Sequence, residues 1–574
     1  MIEPGAWADS AGQNPSPAPW LFGSGRAAGR RRLLILFLFP AIVFINTLSF
    51  DFVYDDNVVV LEDPLVTGPL QLAAVFGQPV QPLDANLGFF RPIITLLYRA
   101  DRFLWGFNPA GYHFTNLLLH LLVTFLVYQV AIRSTRGVIA SWSAGLFFSV
   151  LPVHTEAIAW IQGRVDLAPT VFVLVAALCL LRAREAIGIR VWVWSALGAL
   201  SYVAALFSKE SAATFPLVWA VWEISGLTKS YWRKSIPGVC IRMGFLAGSG
   251  LVYWVIRERV IGGLTVFPMN PSPVAQQALG IIAVFGEYSR LLLLPDLSLR
   301  FLQDLSLRSD VFIAFGGAFA LIVLGGGLAV LWQRDRSLLP WLAWIPITMM
   351  VPLLLVFYTY VPGITLFTAD RYVYLPSVGW CIILGVVISR FLKSKTSAQQ
   401  GWRMVAFAAL LIGYACISLV RLQPWADPID FYRFMGRQPY LAARIQSSTH
   451  DDLGRIFLER GEYDRAREQF LTAIRISPGE ASPHNNMGVL LIREGRSSEA
   501  KKWIEAAIRF NPKLASAYGN LGAAYEDLGD PAEAKAALEA GLRIAPKSTW
   551  LAARLADLTA GAGLPGPQLY EPKK

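Results

Sequence analysis

Cysteine and charge are what this chain is short of. Of its 574 residues only four are cysteine and five histidine, and 16% are charged. Cys179, Cys240, Cys381 and Cys416 all fall within apolar segments without metal-ligand spacing, so neither a disulfide framework nor a zinc site follows. So few charges beside 55% hydrophobic residues exclude a soluble multidomain protein of this length. The formal net charge of +11 calls for no nucleic acid either. Basic residues cluster in short loops between apolar segments, at Arg30-Arg31-Arg32, Arg133 to Arg136, Lys229 to Lys234 and Lys393-Ser394-Lys395. That is the positive-inside pattern of a polytopic membrane protein.

What is abundant is apolar sequence in lengths that cross a hydrocarbon core. The first 32 residues are rich in Gly, Ala, Pro and Ser and read as a cytoplasmic tail, and residues 33–50 as a retained signal-anchor span, with a cleaved signal peptide as the alternative. A polar outer loop, 51–111, comes next. Spans follow near 114–132, 138–153, 167–182, 191–207, 212–226, 237–256, 311–332, 338–358, 373–392 and 404–421. Segment 274–294 is ambiguous because Glu287 and Arg290 interrupt it. Eleven crossings keep the basic loops inside, and twelve would put Arg334 and Arg336 outside. The expected fold is therefore all-α, with a membrane domain over 33–422, a linker over 423–446, and a second, soluble domain.

That second domain is legible from a repeat. Gly461, Gly495 and Gly529 stand 34 residues apart, as do Ala466, Ala500 and Ala534, and Pro478, Pro512 and Pro546. A turn glycine, a small residue early in the second helix and a terminating proline at this period predict tetratricopeptide repeats at 447–480, 481–514 and 515–548, a cap at 549–560, and a tail over 561–574.

Ionisable groups at or within a bilayer are costly unless paired or hydrated, which directs attention to the few there are. Alternating topology puts one polar set on the outer face: Asp55 and Asp56, Arg91, His113, His154, Glu156, Arg164, Asp166, Lys209, Glu210, Asp370 and Arg371. Transfer of a sugar from a lipid phosphate asks for such a set: a carboxylate to take the acceptor's proton and cations or a metal to meet the departing phosphate. Asp55 and Asp56 are the catalytic candidates, and Arg164, Lys209, Arg371 and Arg91 the phosphate-binding ones. His113, His154, Glu156, Asp166, Glu210, Asp370 and Tyr374 are supporting candidates. Mg²⁺ or Mn²⁺ could use Asp55 and Asp56, with Glu156 or Asp166. Blander readings stand beside these. The Asp pair suits a solvated turn, His120 a helix-packing contact, Lys209-Glu210 an interfacial ion pair, and Arg371 with Tyr372 and Tyr374 an interfacial anchor belt.

The stretches Tyr54-Asp55-Asp56-Asn57, Phe90-Arg91-Pro92, Tyr112-His113-Phe114-Thr115-Asn116 with His120, His154-Thr155-Glu156-Ala157, Gly163-Arg164-Val165-Asp166, Ser208-Lys209-Glu210 and Arg371 to Gly379, followed by the repeats, carry a family likeness. In this order the chain resembles the transmembrane and tetratricopeptide-repeat O-mannosyltransferases of the GT-C superfamily and their bacterial relatives. The resemblance implies a GT-C fold, a polyprenyl-phosphate sugar donor, an acidic residue of the first loop, Asp55 or Asp56, as base, and catalysis on the lumenal or periplasmic side. Three departures are visible: Leu151 stands where relatives often have His, Asp370 replaces a usual Glu, and Leu299-Arg300-Phe301 lies where an acidic-aromatic pair is common.

The expectation is thus a multi-pass membrane glycosyltransferase, inverting, that moves a single mannose-like sugar to a hydroxyl of a protein or envelope glycan. Its expected partners are the bilayer, the lipid-linked donor and an acceptor recruited by the repeats, at a bacterial inner membrane with site and repeats on the periplasmic side. Two other readings remain. A lipid-linked oligosaccharide ligase or polymerase would place its main catalytic loop late in the chain, whereas the Asp pair is early. A non-enzymatic membrane-anchored scaffold would make the outer-face carboxylates dispensable.

Overall fold

A computed structural model describes residues 25–79, 89–135, 137–226, 232–262, 274–294, 297, 303–304, 311–334, 336–358, 367–393, 396–438, 441–546 and 548–559. Leu299-Arg300-Phe301 and most of both tails lie outside these. The chain divides into two compact units, 1–427 and 428–574.

The first unit is a bundle of apolar helices whose outer surface is itself apolar. Along the first helix, Arg26–Phe44, Leu36 and Phe44 are fully buried while Leu34, Leu38 and Ile42 are exposed. A helix that is apolar on both its packed and its open face is built for lipid. Among the described residues seven helices are long and apolar enough to cross a membrane: Arg26–Ser49, Pro109–Thr135, Ile161–Glu185, Ile189–Leu206, Ile236–Ile261, Phe315–Gln333 and Ala398–Trp425. An eighth, Val138–Val150 with Pro152–Ala159, is bent by 49° at Leu151, since the proline ring disfavours helix at the residue before it. By length and composition the described residues give seven such helices, or eight with the bent pair, beside the eleven expected. Phe215–Gly226 has 12 residues, about 18 Å of helix. Leu339–Tyr358 has 20 residues, long enough to cross as expected for 338–358, whereas Ser377–Leu392 has 16. Apolar composition made Phe215–Gly226 and Ser377–Leu392 look like crossings where each helix is too short for one on its own. Val274–Leu293 is a continuous helix whose Glu287 pairs with Arg290 at 3.1 Å, and it is not among the spans. Packing is closest where side chains are small. A Cβ on Gly385 would fall 2.3 Å from the Ala140 carbonyl, so Ser377–Leu392 meets Val138–Val150 backbone to backbone. Apart from helices, Gln303–Asp304 pairs antiparallel with Phe367–Thr368, Gln303 opposite Thr368.

The second unit stacks three helix pairs: Ala443–Glu459 with Tyr463–Ile476, Ala481–Arg493 with Ser497–Phe510, and Ala515–Asp527 with Pro531–Ile544, closed by Thr549–Thr559. Gly461, Gly495 and Gly529 turn each pair at φ +75°, +76° and +80°, a region that disfavours any Cβ, and Ala466, Ala500 and Ala534 are fully buried. The stretch expected as linker differs. Pro428–Gly436 is a helix that buries Phe431, Tyr432 and Met435 within this unit, and the first repeat helix begins at Ala443 rather than 447. Its apolar residues are too few and too closely followed by the polar stretch at Gly436 to have declared themselves as a packed helix.

Candidate active site

The loop after the first helix turns on a strained residue. Tyr54 has φ +54°, an uncommon value for a side-chain-bearing residue, and is the one non-glycine with positive φ among the described residues. Its ring lies 6.1 Å from that of Trp160, and the next residues diverge. Asp56 turns inward and is fully buried: one carboxylate oxygen accepts the Val53 N–H at 3.1 Å and the other the Gln162 N–H at 3.0 Å. Burial pushes its pKa up to about 8, against the pull of those two N–H groups. Asp55 is only half-buried, although one of its carboxyl oxygens is buried.

The turn that Asp56 grips is held from its other side as well. Asn116 donates to the carbonyls of Trp160 at 2.8 Å and Ile161 at 3.2 Å, while its own carbonyl oxygen accepts from Arg164 Nε at 3.1 Å. Arg164 also donates to the Tyr112 carbonyl and pairs with Asp101 at 2.6 Å, all fully or nearly fully buried. Arg164, expected to meet phosphate, is thus drawn away from it. A buried guanidinium takes the nearest buried carboxylate, and Asp101 supplies one.

Three of the other expected cations converge. Ile93 N–H donates to the Phe207 carbonyl, tying the Phe90-Arg91-Pro92 stretch to the loop that carries Lys209 and Glu210. Arg91 pairs with Glu210 at 3.1 Å. Lys209 pairs with Asp166, whose second oxygen is buried without a hydrogen-bond partner among the described residues. Burial holds the Lys209 ammonium below its ordinary pKa, opposed by Asp166. Arg371 pairs with Glu156, whose other oxygen accepts the Arg371 backbone N–H at 3.0 Å. Aromatic rings join these pairs: Lys209 Nζ stands 5.2 Å from the Tyr372 centroid, and Arg371 Cζ 5.0 Å from Tyr372 and 5.2 Å from Trp160. Through Trp160 the cluster adjoins Tyr54 and hence Asp55.

The remaining candidates are fully buried. His154 bonds the Phe148 carbonyl and Ser377 Oγ, both at 2.8 Å. His120 bonds the Ser149 carbonyl at 3.0 Å through Nε2, so its Nδ1 is left to accept from Tyr374 O–H at 2.9 Å. His113 is fully buried, its ring 6.0 Å from Phe50. Asp370 pairs with Arg421, both fully buried. Asp101, Trp160 and Arg421 were not singled out from sequence.

Most oxygens of this donor set already have partners. Both oxygens of Asp56 are occupied by backbone N–H groups, Glu156 and Asp166 each hold a cation, and no group of three ligating side chains is placed for an ion among the described residues.

With this geometry established, resemblances to known proteins can be placed on it. Tetratricopeptide-repeat models match residues 454–495, 481–514 and 515–548. The chain is 33% identical over 315 residues to protein O-mannosyl-transferase Tmtc2 of Drosophila melanogaster, covering 50% of this chain and 32% of that protein. It is 24% identical over 476 residues to a protein O-mannosyl-transferase of Caenorhabditis elegans, covering 79% and 64%. The aligned part thus spans between about a third and two thirds of these relatives' length. Among solved structures, ArnT from Cupriavidus metallidurans bound to undecaprenyl phosphate shares 14% identity at a TM-score of 0.40, over 92% of this chain and 82% of that one, too remote a likeness to assign a fold. The chain is an integral membrane homologue of the TMTC-type protein O-mannosyl-transferases that carries tetratricopeptide repeats.

Proposed function

We propose that this chain is an inverting glycosyltransferase of GT-C type that moves one mannose-like sugar from a polyprenyl phosphate to a hydroxyl of a protein or envelope glycan, on the extracytoplasmic face of its membrane (for a bacterial inner membrane, the periplasmic face). The observation that carries it is the gathering of Arg91, Lys209 and Arg371, each with a carboxylate, beside the half-buried Asp55. Three buried or half-buried ion pairs in an apolar bundle are expensive to desolvate, and a fold does not need three together for packing. In pairs they are neutral, and an arriving phosphate can take the cations from their carboxylates. The relatives' names are consistent with this chemistry.

In the reaction, Asp55 takes the proton of the acceptor hydroxyl as its oxygen bonds to the anomeric carbon. The bond from that carbon to the phosphate oxygen breaks, and the polyprenyl phosphate leaves with the electron pair. Arg371 and Arg91, with their forked donors, and Lys209, a compact charge, meet the negative charge that develops. A single displacement places entry and departure on opposite faces of the sugar and inverts the centre. No step draws on a metal.

Transfer of radiolabelled sugar from polyprenyl phosphate to endogenous acceptors in membranes tests this. Asp55→Asn keeps the shape and removes the proton acceptor, so transfer is expected to fall by about 10² to 10⁴. Gln at Arg371, Lys209 or Arg91 should lower transfer while the protein still folds, and excess EDTA should leave it unchanged. Wild-type transfer in the Asp55 variant would move preference to the scaffold reading; a transferred product longer than one sugar would favour the ligase. Sidedness is read separately, by labelling a cysteine placed at Ser447 with an impermeant reagent: protection until permeabilisation contradicts an external repeat unit.

A further inference from the structure

Between the helix Pro428–Gly436 and the first repeat lies a cavity of about 310 Å³, at the small end of the 300–1,000 Å³ typical of ligand pockets. Its inner wall is apolar, with Tyr432, Leu453 and Phe457 all buried. Its rim carries three arginines, Arg433, Arg437 and Arg465, and a single carboxylate, Glu468. Arg465 is fixed in place, its guanidinium 3.9 Å from the Phe457 centroid and paired with Glu462. Arg433 is 3.6 Å from Asp430, and Arg437 has no ion-pair partner among the described residues.

The identity of residue 465 is not demanded by the repeat. It is the third residue of helix Tyr463–Ile476, and the same place in the next two repeats is occupied by Glu499 and Glu533. At a helix N-terminus the backbone dipole favours those glutamates and disfavours an arginine. The first repeat thus carries the locally worse residue at a place where it lines the cavity.

We propose that this cavity binds an acidic peptide segment, an Asp or Glu side chain on the arginine rim with a neighbouring apolar side chain against Tyr432, Leu453 and Phe457. Guanidinium forks match carboxylates in bidentate fashion, the apolar wall suits a side chain rather than a sugar, and the volume admits a few residues of an extended chain and not a folded surface. This gives the repeat unit a selection rule for partner proteins that does not depend on the transferase reading.

The test uses the full-length protein in detergent and a fluorescein-labelled Gly/Ser peptide carrying Glu-Leu-Glu-Phe, read by fluorescence anisotropy without any sugar donor. Saturable binding is expected. It should weaken by about tenfold or more in Arg465→Glu, which restores the residue of the other repeats and so should fold, and likewise in Arg437→Gln. Binding should weaken as salt rises, and Lys535→Glu, elsewhere on the repeats, should leave it unchanged. Equal binding of a Gln-Leu-Gln-Phe peptide, or wild-type binding in both arginine variants with unchanged circular dichroism, overturns the proposal. So does binding of glycerol phosphate, as a soluble lipid headgroup, in the absence of peptide binding.

Discussion

The ion pairs of the membrane unit are mostly buried and those of the repeat unit mostly exposed, with Arg554 and Glu526, 2% and 10% exposed, the buried pair of the repeats. Arg164 and Asp101 are 0% and 3% exposed and Arg421 and Asp370 are both 0%, whereas Arg496 and Glu499 are 43% and 54% exposed and Lys535 and Glu539 are 54% and 45%. The same pairing chemistry has opposite energetic meaning in the two places. A bundle that meets lipid has no use for surface charge, so each ionisable residue it keeps must be desolvated and is tolerable only with a partner. A repeat array in water can keep most of its charges at the surface, where pairing changes little.

The largest effect expected from this contrast follows on removing one partner of a fully buried pair. Arg164→Met leaves the Asp101 carboxylate buried and uncompensated and frees Asn116, which holds the Trp160 turn. A loss of about 3–5 kcal/mol is expected, read as a lowered unfolding midpoint in detergent. The companion Asp101→Asn should restore part of it in the double variant, since the stranded charge is then gone. A loss no greater than that for a surface pair of the repeats would end the comparison.

How far the sequence could announce these arrangements differs between the units. The repeats are local: the glycine that turns each pair, the alanine that lets the helices touch and the closing proline recur at one spacing, and each needs only its neighbours. The membrane unit was legible as spans and as a short roster of charged residues, because charge is conspicuous in apolar sequence. Asp55, Arg91, Lys209, Glu210, Asp166, Arg371 and Glu156 were found this way. Their pairing was not, because it joins residues such as Glu156 and Arg371 that are far apart in the chain. Asp101 was hidden on the amphipathic helix Pro92–Trp105, where an acidic residue looks like ordinary solvent-facing polarity. Arg421 was hidden at the end of an apolar span, where a basic residue looks like a flank. Nothing in the letters marks Tyr54 for positive φ. The polar stretches were expected at a wetted surface, yet His154, Glu156 and Asp370 are fully buried.

A smaller effect, with a pH signature, is expected at Asp56. Its carboxyl is raised from 3.8 to about 8, with burial as the main cause, so the folded state keeps a proton that the unfolded chain releases. The stabilisation is therefore complete below about pH 4 and declines as pH rises toward 8. Asp56→Asn removes this titration and should flatten that part of the stability profile. It also has one carbonyl oxygen where the carboxyl has two acceptors, leaving the Val53 or Gln162 N–H unmet at a cost of about 1–3 kcal/mol. The variant should thus be less stable than wild type at pH 5, with the gap narrowing by pH 8.5. Parallel profiles would mean that Asp56 does not titrate in this window.

The smallest effect is expected where the contrast is hardest to sustain, at the best-formed surface pair of the repeat unit. Arg496 meets Glu499 with two parallel bonds, 2.9 Å from Nε and 2.7 Å from Nη2, and reaches Glu494 at 3.2 Å. Bidentate geometry of this kind is where a surface ion pair has its best chance of contributing. Yet both partners of the bidentate pair stand in water, so truncation lets each be hydrated and leaves no stranded charge. Arg496→Ala should shift the unfolding midpoint of the repeat unit barely beyond measurement error, and the remaining shift should vanish as salt screens the pair. The readout is thermal unfolding followed by circular dichroism at low and high ionic strength. A shift comparable to that of Arg164→Met, persisting in high salt, would show that exposure does not separate the two kinds of pair, and the meaning assigned to the buried cations beside Asp55 would have to rest on their geometry alone.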